Sequence, residues 1–216
     1  YEVYNGDIAD LYTISQFDKN PSRRFNFKDE CLDTKNWLFS RAEANPDAKR
    51  IYIDGNHEDR MRRWLWKHGP ELNSLDELEV GALLGIDEVA AVHIPYPGVF
   101  DFLGFRIEHG YKTSASKAYP VDVARWMAVA TASSGLCGHV HRLGQYVWRD
   151  SRGSHSYIVN GCVCRLGLEY AADPNWQHGF TYGEVHKGKV HLVMVHIYPD
   201  GFLANGEFYP RLGKGR

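Results

Sequence analysis

The sequence predicts an α/β fold in which two β-sheets pack together and helices lie outside, and two features of the 216 residues predict it. Up to about His141, apolar segments with strand-like and helix-like spacing alternate, which is the texture of βα units. Beyond His141 short strand-like runs follow one another with few helical patterns, the texture of an antiparallel series. No internal repeat, low-complexity tract or convincing linker interrupts the chain, so residues 1–216 read as one domain.

Glu2 to Asn5 reads as a strand that ends in Gly6-Asp7, delivering a carboxylate at a strand's C-terminal end. Asp29 to Ala44 has helical spacing (Cys31, Trp37, Leu38, Ala42) and Asn45-Pro46-Asp47 ends it. Arg50 to Asp54 is a second, buried strand feeding Gly55-Asn56-His57-Glu58-Asp59. Ser74-Leu75-Asp76-Glu77 has the form of a capping box and starts a helix to about Leu84. Val89 to Ile94 and Phe102 to Glu108 are strands, the latter running into His109-Gly110. Tyr119-Pro120 opens a helix to about Ala130, with proline in the first turn where its missing N–H does no harm. A short segment reaches Gly138-His139-Val140-His141, and strands follow at Gln145 to Trp148, Ser156 to Val159, Phe180 to Val185 and Lys189 to Ile197.

The composition, 44% hydrophobic and 24% charged, is that of an ordinary globular chain. No apolar run reaches the roughly 18 residues of a membrane span, and no basic-then-apolar signal peptide opens the sequence. A formal net charge of −2 argues against a globally basic nucleic-acid-binding face. Cys31, Cys137, Cys162 and Cys164 lack the paired spacing of a structural zinc site and read as reduced thiols, hence a cytoplasmic protein. Cys162 and Cys164 would share a strand face, which admits a metal or redox role, but two small core side chains is the stronger reading.

Asp7, Asn56, His109, His139 and His141 are the ligand types of a hydrolytic metal centre. A pair of divalent ions activates water and holds a phosphoryl oxygen, and it needs a bridging carboxylate with neutral amides and imidazoles. Those donors suit Mn, Fe, Zn, Ni or Co. Gly55 permits a tight turn with Asn56 and His57 side by side at its mouth. A loop after Gly138 lets His139 and His141 splay toward two ions, although on a regular strand they would share a face. His178-Gly179, a second His-Gly, lies beyond this string in the antiparallel part and reads as a decoy. His68, His93, His155, His178, His186, His191 and His196 read as surface or satisfied core residues.

The series Gly6-Asp7, Gly55-Asn56-His57-Glu58, His109-Gly110 and Gly138-His139-Val140-His141, in this order and spacing, resembles the calcineurin-like metallophosphoesterase family. Gly161-Cys162-Val163-Cys164-Arg165 and Asn175-Trp176-Gln177 resemble its small phage and bacterial members. The resemblance implies the family's α/β/β/α sandwich and two metal ions. It makes Asp7 the bridging ligand, with Asn56, His109 and His139 completing one site and His141 belonging to the other. It places Asn56 and His57 against the substrate phosphate, with His57 as proton donor to the leaving group and Glu58 in the supporting acidic position. The family's first motif, Asp-x-His, is missing, since no Asp here is followed two positions later by His. A domain incomplete at its N-terminus, lacking its first strand, is the expectation, and genuine loss of the first site is the alternative. Either way the chain is expected to bind at most one ion tightly.

The leading function is therefore a metal-dependent phosphomonoesterase or phosphodiesterase. Arg60, Arg62, Arg63 and Lys67, interleaved with Trp64 and Trp66, make a nuclease the alternative within that class. Without such a role, the same stretch is an amphipathic helix with two packed tryptophans. A non-catalytic interaction module on the same fold is the alternative from another class. The clustering of Asn56, His57, His109, His139 and His141 in the motifs argues against it.

Overall fold

The computed structural model describes residues 1–24, 26–89, 92–110, 120–167 and 174–211. It is a mixed α/β fold with several sheets, and it divides into two compact units, Tyr1–Phe100 and Asp101–Arg216. Among the described residues no helix is long and apolar enough to cross a membrane.

The first unit is a three-stranded parallel sheet, β1 (Glu2–Asn5), β2 (Arg50–Ile53) and β3 (Val92–Ile94), in that order. All four residues of β2 are buried, as the central strand of a covered parallel sheet requires. Helix α1 (Phe27–Ala44) is capped by Asn26, whose side chain accepts the amide hydrogen of Asp29 at 3.0 Å. Its buried face is Cys31, Thr34 and Leu38, and Leu38 joins Tyr4, Tyr52, Met61, Leu65 and Ile86 in the core. From α1, Glu30 accepts from the amide of Tyr12 at 3.0 Å and the hydroxyl of Thr13 at 3.1 Å, which ties down the loop after β1.

Helix α2 (Asp59–His68) follows the Gly55-Asn56-His57 turn directly. The helix expected from Ser74 to Leu84 is instead a pair of 3₁₀ turns, Pro70–Ser74 and Asp76–Leu78, followed by a one-turn helix α3 (Val80–Leu83). The capping box does not form: Leu75 is extended and Asp76–Leu78 is a 3₁₀ turn, while the Ser74 hydroxyl donates to the carbonyl of Glu71. The strand expected from Val89 starts only at Val92; Val89 closes a 3₁₀ turn, and Ala90 and Ala91 lie outside the described residues.

The second unit carries a five-stranded sheet of order β4-β5-β6-β8-β7, apart from the first two residues of its edge strand β4. Its strands are β4 (Val99–Phe102), β5 (Phe105–Glu108), β6 (Gly135–Cys137), β7 (Gly144–Asp150) and β8 (Gly153–Val159). The single strand expected over Phe102 to Glu108 is thus broken at Leu103-Gly104, both with positive φ, into two strands. β5, β6 and β8 are parallel neighbours, and β7 pairs with β8 antiparallel. Alternation along the strands covers both faces. On one, Val123, Ala124 and Met127 of α4 (Pro120–Thr131) meet Cys137, Tyr157 and Val159. On the other, Val190, Leu192 and Met194 meet Phe105, Leu136 and Ile158. Tyr119, where this helix was expected to open, lies outside the described residues. Val190, Leu192 and Met194 belong to the hairpin β9 (Gly179–His186) and β10 (Lys189–His196). A further hairpin, β11 (Gly201–Ala204) and β12 (Glu207–Pro210), follows.

Candidate functional site

In the first unit, Asp7 emerges from the end of β1 with φ 55°, after Gly6 with φ 78°. This left-handed pair turns the loop across the Gly55 turn, and a Cβ on Gly55 would lie 2.1 Å from Asp7 Oδ1. Only glycine allows that approach. Asp7 Oδ1 accepts the amide hydrogen of His57 at 2.9 Å, so the carboxylate is built into the turn that presents Asn56 and His57.

Glu58 holds these loops together. Its carboxylate accepts five hydrogen bonds, from the amides of Asp7 (2.9 Å), Ile8 (2.8 Å), Ala9 (3.1 Å) and Gly55 (2.8 Å) and the Tyr52 hydroxyl (2.9 Å). Burial first, then the charges of Asp7 and Asp54, push its pKa up, while the amides of Ala9 and Asp7 pull it down. Five donors suit an ionised carboxylate. Fully buried with its lone pairs taken, Glu58 positions the loops of Asp7 and Asn56.

His57 Nδ1 lies 3.1 Å from Asp10 Oδ1 and its Nε2 lies 3.7 Å from Asp7 Oδ2. Asp10 is in turn held by Arg60 at 2.9 Å and Arg23 at 3.6 Å. Burial would raise the Asp10 carboxyl, but the hydrogen bond and charge of His57, with Arg60, outweigh it and hold the group below the usual carboxylate range. The Asp10–Arg60 support of His57 has no motif in the sequence. The clue was only that Arg60 falls three residues after His57, one helical turn on.

Two of the cations on helix α2 are paired within it. Arg62 and Arg63 both pair with the buried Asp59, and Arg62 lies over the Trp66 ring at 4.9 Å. The helix is amphipathic as expected, burying Asp59, Met61 and Leu65, but its two tryptophans are not packed away, since Trp66 is 57% and Trp64 37% exposed. A cavity of about 220 Å³ in this unit is lined by Asp54, Arg62, Trp66 and His93 among others, and Asp7, Asn56 and His57 do not line it.

In the second unit, the parallel register sets Glu108 beside Cys137, so β5 and β6 end level and release His109 and Gly138 at the same edge. The amide of Gly138 donates to the carbonyl of His109 at 3.1 Å. His109 Nε2 and His139 Nδ1 stand 3.3 Å apart, with ring centroids at 5.1 Å and planes at 72°. Gly110 has φ 104°, and a Cβ there would press on Cys137 at 3.1 Å, which explains glycine after His109. Glu108, also fully buried, is held by Arg106 and by the Tyr157 hydroxyl at 3.0 Å.

β6 stops at Cys137, and His139 (φ 68°) and His141 (φ 57°) are both left-handed. The two imidazoles accordingly diverge. His139 meets His109, while His141 stands edge-on to Trp176 at 4.6 Å. His141 also falls into a group with Cys162 and Cys164, neither of which is in a disulfide. Cys162 is only partly buried and Cys164 is exposed, so the reading of two core side chains is corrected: Cys162 joins only an isolated bridge and Cys164 sits in a bend. His178 is beside it, bridging Cys162 through the main chain and bonding the Cys164 carbonyl through Nε2 at 2.6 Å.

No protein-family model matches the chain, and no curated protein matches it.

Proposed function

We propose that the chain is a metal-dependent hydrolase of phosphate esters on the metallophosphoesterase fold, in a single domain, using divalent ions bound by Asp7, Asn56, His109, His139 and His141. The observation that carries this reading is the His109–His139 pair, with its ring nitrogens 3.3 Å apart at the ends of two parallel strands. Two imidazole nitrogens that share one tetrahedral ion at roughly 2.0–2.1 Å stand about 3.3 Å from each other, so the donors fit.

When bound, such ions lower the pKa of a water so that it becomes a nucleophile, and they stabilise charge on the phosphoryl oxygens. The chain's own residues supply the rest. Asp10, ionised and anchored by Arg60, occupies His57 Nδ1, which leaves Nε2 to hand a proton to the departing ester oxygen. Glu58 keeps Asp7 and the Gly55 turn in register, so His57 arrives in one orientation.

The test is hydrolysis of an aryl phosphate monoester and diester by the chain with Mn²⁺, alongside metal analysis of His109→Ala and His139→Ala. Turnover that depends on Mn²⁺ and on both histidines is expected. A protein that retains no metal and hydrolyses neither ester overturns the proposal and leaves the interaction module.

A further inference from the structure

Three stretches of the second unit are sewn together by main-chain hydrogen bonds. The amide of Gln177 donates to the carbonyl of His141 at 2.9 Å, the amide of Cys162 to Gln177 at 3.0 Å, and the amide of Gly179 to Cys162 at 3.0 Å. Gly161 makes the approach possible, since a Cβ there would lie 2.6 Å from the Gln177 carbonyl oxygen. The backbone positions of His141 and Cys162 are therefore fixed by contacts that do not involve their side chains. Cys162 joins an isolated bridge to His178, and Cys164, two residues on, sits in a bend. A ring nitrogen of His141 and the Sγ atoms of Cys162 and Cys164 all lie within 4.8 Å of one another.

We propose that His141, Cys162 and Cys164 form a site for a thiophilic divalent cation, of which Zn²⁺ is the representative. The proposal goes beyond the phosphoester reading: it takes His141 out of that ligand set for this site, and otherwise does not rest on it. Bond lengths of about 2.3 Å to sulfur and 2.0–2.1 Å to nitrogen place tetrahedral ligand atoms roughly 3.3–3.8 Å apart, which small side-chain rotations reach from the present arrangement. Two thiolates and an imidazole select Zn²⁺ over Mn²⁺ or Mg²⁺, which prefer oxygen donors. Binding breaks two S–H bonds, forms two metal–sulfur bonds and releases both protons to solvent, with no change of oxidation state. Three protein ligands leave a fourth position for water or a substrate atom, the pattern of a reactive zinc ion rather than a purely structural one. The partial exposure of Cys162 and exposure of Cys164 give an ion its entry path.

The experiment is titration of the reduced full chain with Co²⁺, read by the thiolate-to-metal charge-transfer absorption in the near ultraviolet. One equivalent should develop the band, and Zn²⁺ should displace it. Cys162→Ser and Cys164→Ser should each diminish the band and the double variant should abolish it, with circular dichroism confirming that the variants fold. His109→Ala with His139→Ala should keep it. Absence of the band in the reduced protein, or its survival in the double Cys→Ser variant, overturns the proposal. Failure of the hydrolase reading shows separately, as absent turnover of aryl phosphates with Mn²⁺, which the thiolate band does not report.

Discussion

At the scale of single residues, Glu58 and His57 are chain neighbours with opposite duties. Glu58 is enclosed and accepts five hydrogen bonds, so Glu58→Gln would aim an amide NH₂ at donors it cannot accept from. The expected cost is about 1.5–3 kcal/mol of stability, measured by urea unfolding. The backbone contacts of His57 survive in His57→Ala, which removes only the ring beside Asp10 and Asp7, so the unfolding midpoint should stay nearly unchanged. Turnover should instead fall roughly 10²–10⁴-fold on esters with poor leaving groups, and much less where the leaving group needs no proton. An equal loss on both esters would remove His57 from the acid role. Asp10→Asn keeps a hydrogen-bonding atom and loses the charge, so it should follow the same pattern with a smaller loss.

At the scale of elements, the first unit depends on two close approaches. Gly55 brings the β2–α2 turn against the loop after β1, and Gly55→Ala forces a methyl into Asp7. That substitution should destabilise by about 1–3 kcal/mol in the same unfolding measurement. The second approach is β3 on β2, where His93 Nε2 meets Asp54 at 2.7 Å. Burial opposes the charged ring, but the hydrogen bond and charge of Asp54, with Asp87 and Glu79, raise the His93 pKa above its ordinary value. A raised folded pKa means that the folded state binds the proton more tightly, so the contribution is complete below about pH 6.5 and lost as pH rises through the folded pKa. The stability gap between the protein and His93→Gln should therefore be widest near about pH 5.5 and narrow by about pH 8.5. A gap independent of pH would mean that the ring is neutral throughout.

At the scale of the whole molecule, metal and stability are linked. An ion that binds only the folded chain adds about 2.7 kcal/mol when present at a hundredfold excess over its dissociation constant. Chelated protein should accordingly melt lower than the same protein with Mn²⁺ or Zn²⁺ added, as followed by circular dichroism. His139→Ala should blunt the Mn²⁺ response, and Cys162→Ser with Cys164→Ser should blunt the Zn²⁺ response. Equal melting temperatures with and without either metal would count against both sites.

Much of this was legible in the chain. The strands β1 and β2, the helix α1 and the mixed α/β character follow from apolar spacing and turn residues, which act locally and so leave their mark in local sequence. The turn after Gly55 and the loop after Gly138 were legible for the same reason, because each is specified by a glycine and its neighbours. What only the tertiary structure decided involves groups far apart in sequence. Glu58 became a clamp because amides from Asp7 to Ala9 cross over it, about fifty residues away. Ser74 opens no helix because Leu75 is extended between two 3₁₀ turns, a path the local motif does not record. The meeting of His109 with His139 required the parallel register of β5 on β6. The grouping of His141 with Cys162 and Cys164 required three separate stretches to be joined through their main chains. Local sequence sets where the chain turns, whereas which distant side chains then share one space depends on strand register and on partners the local sequence does not contain.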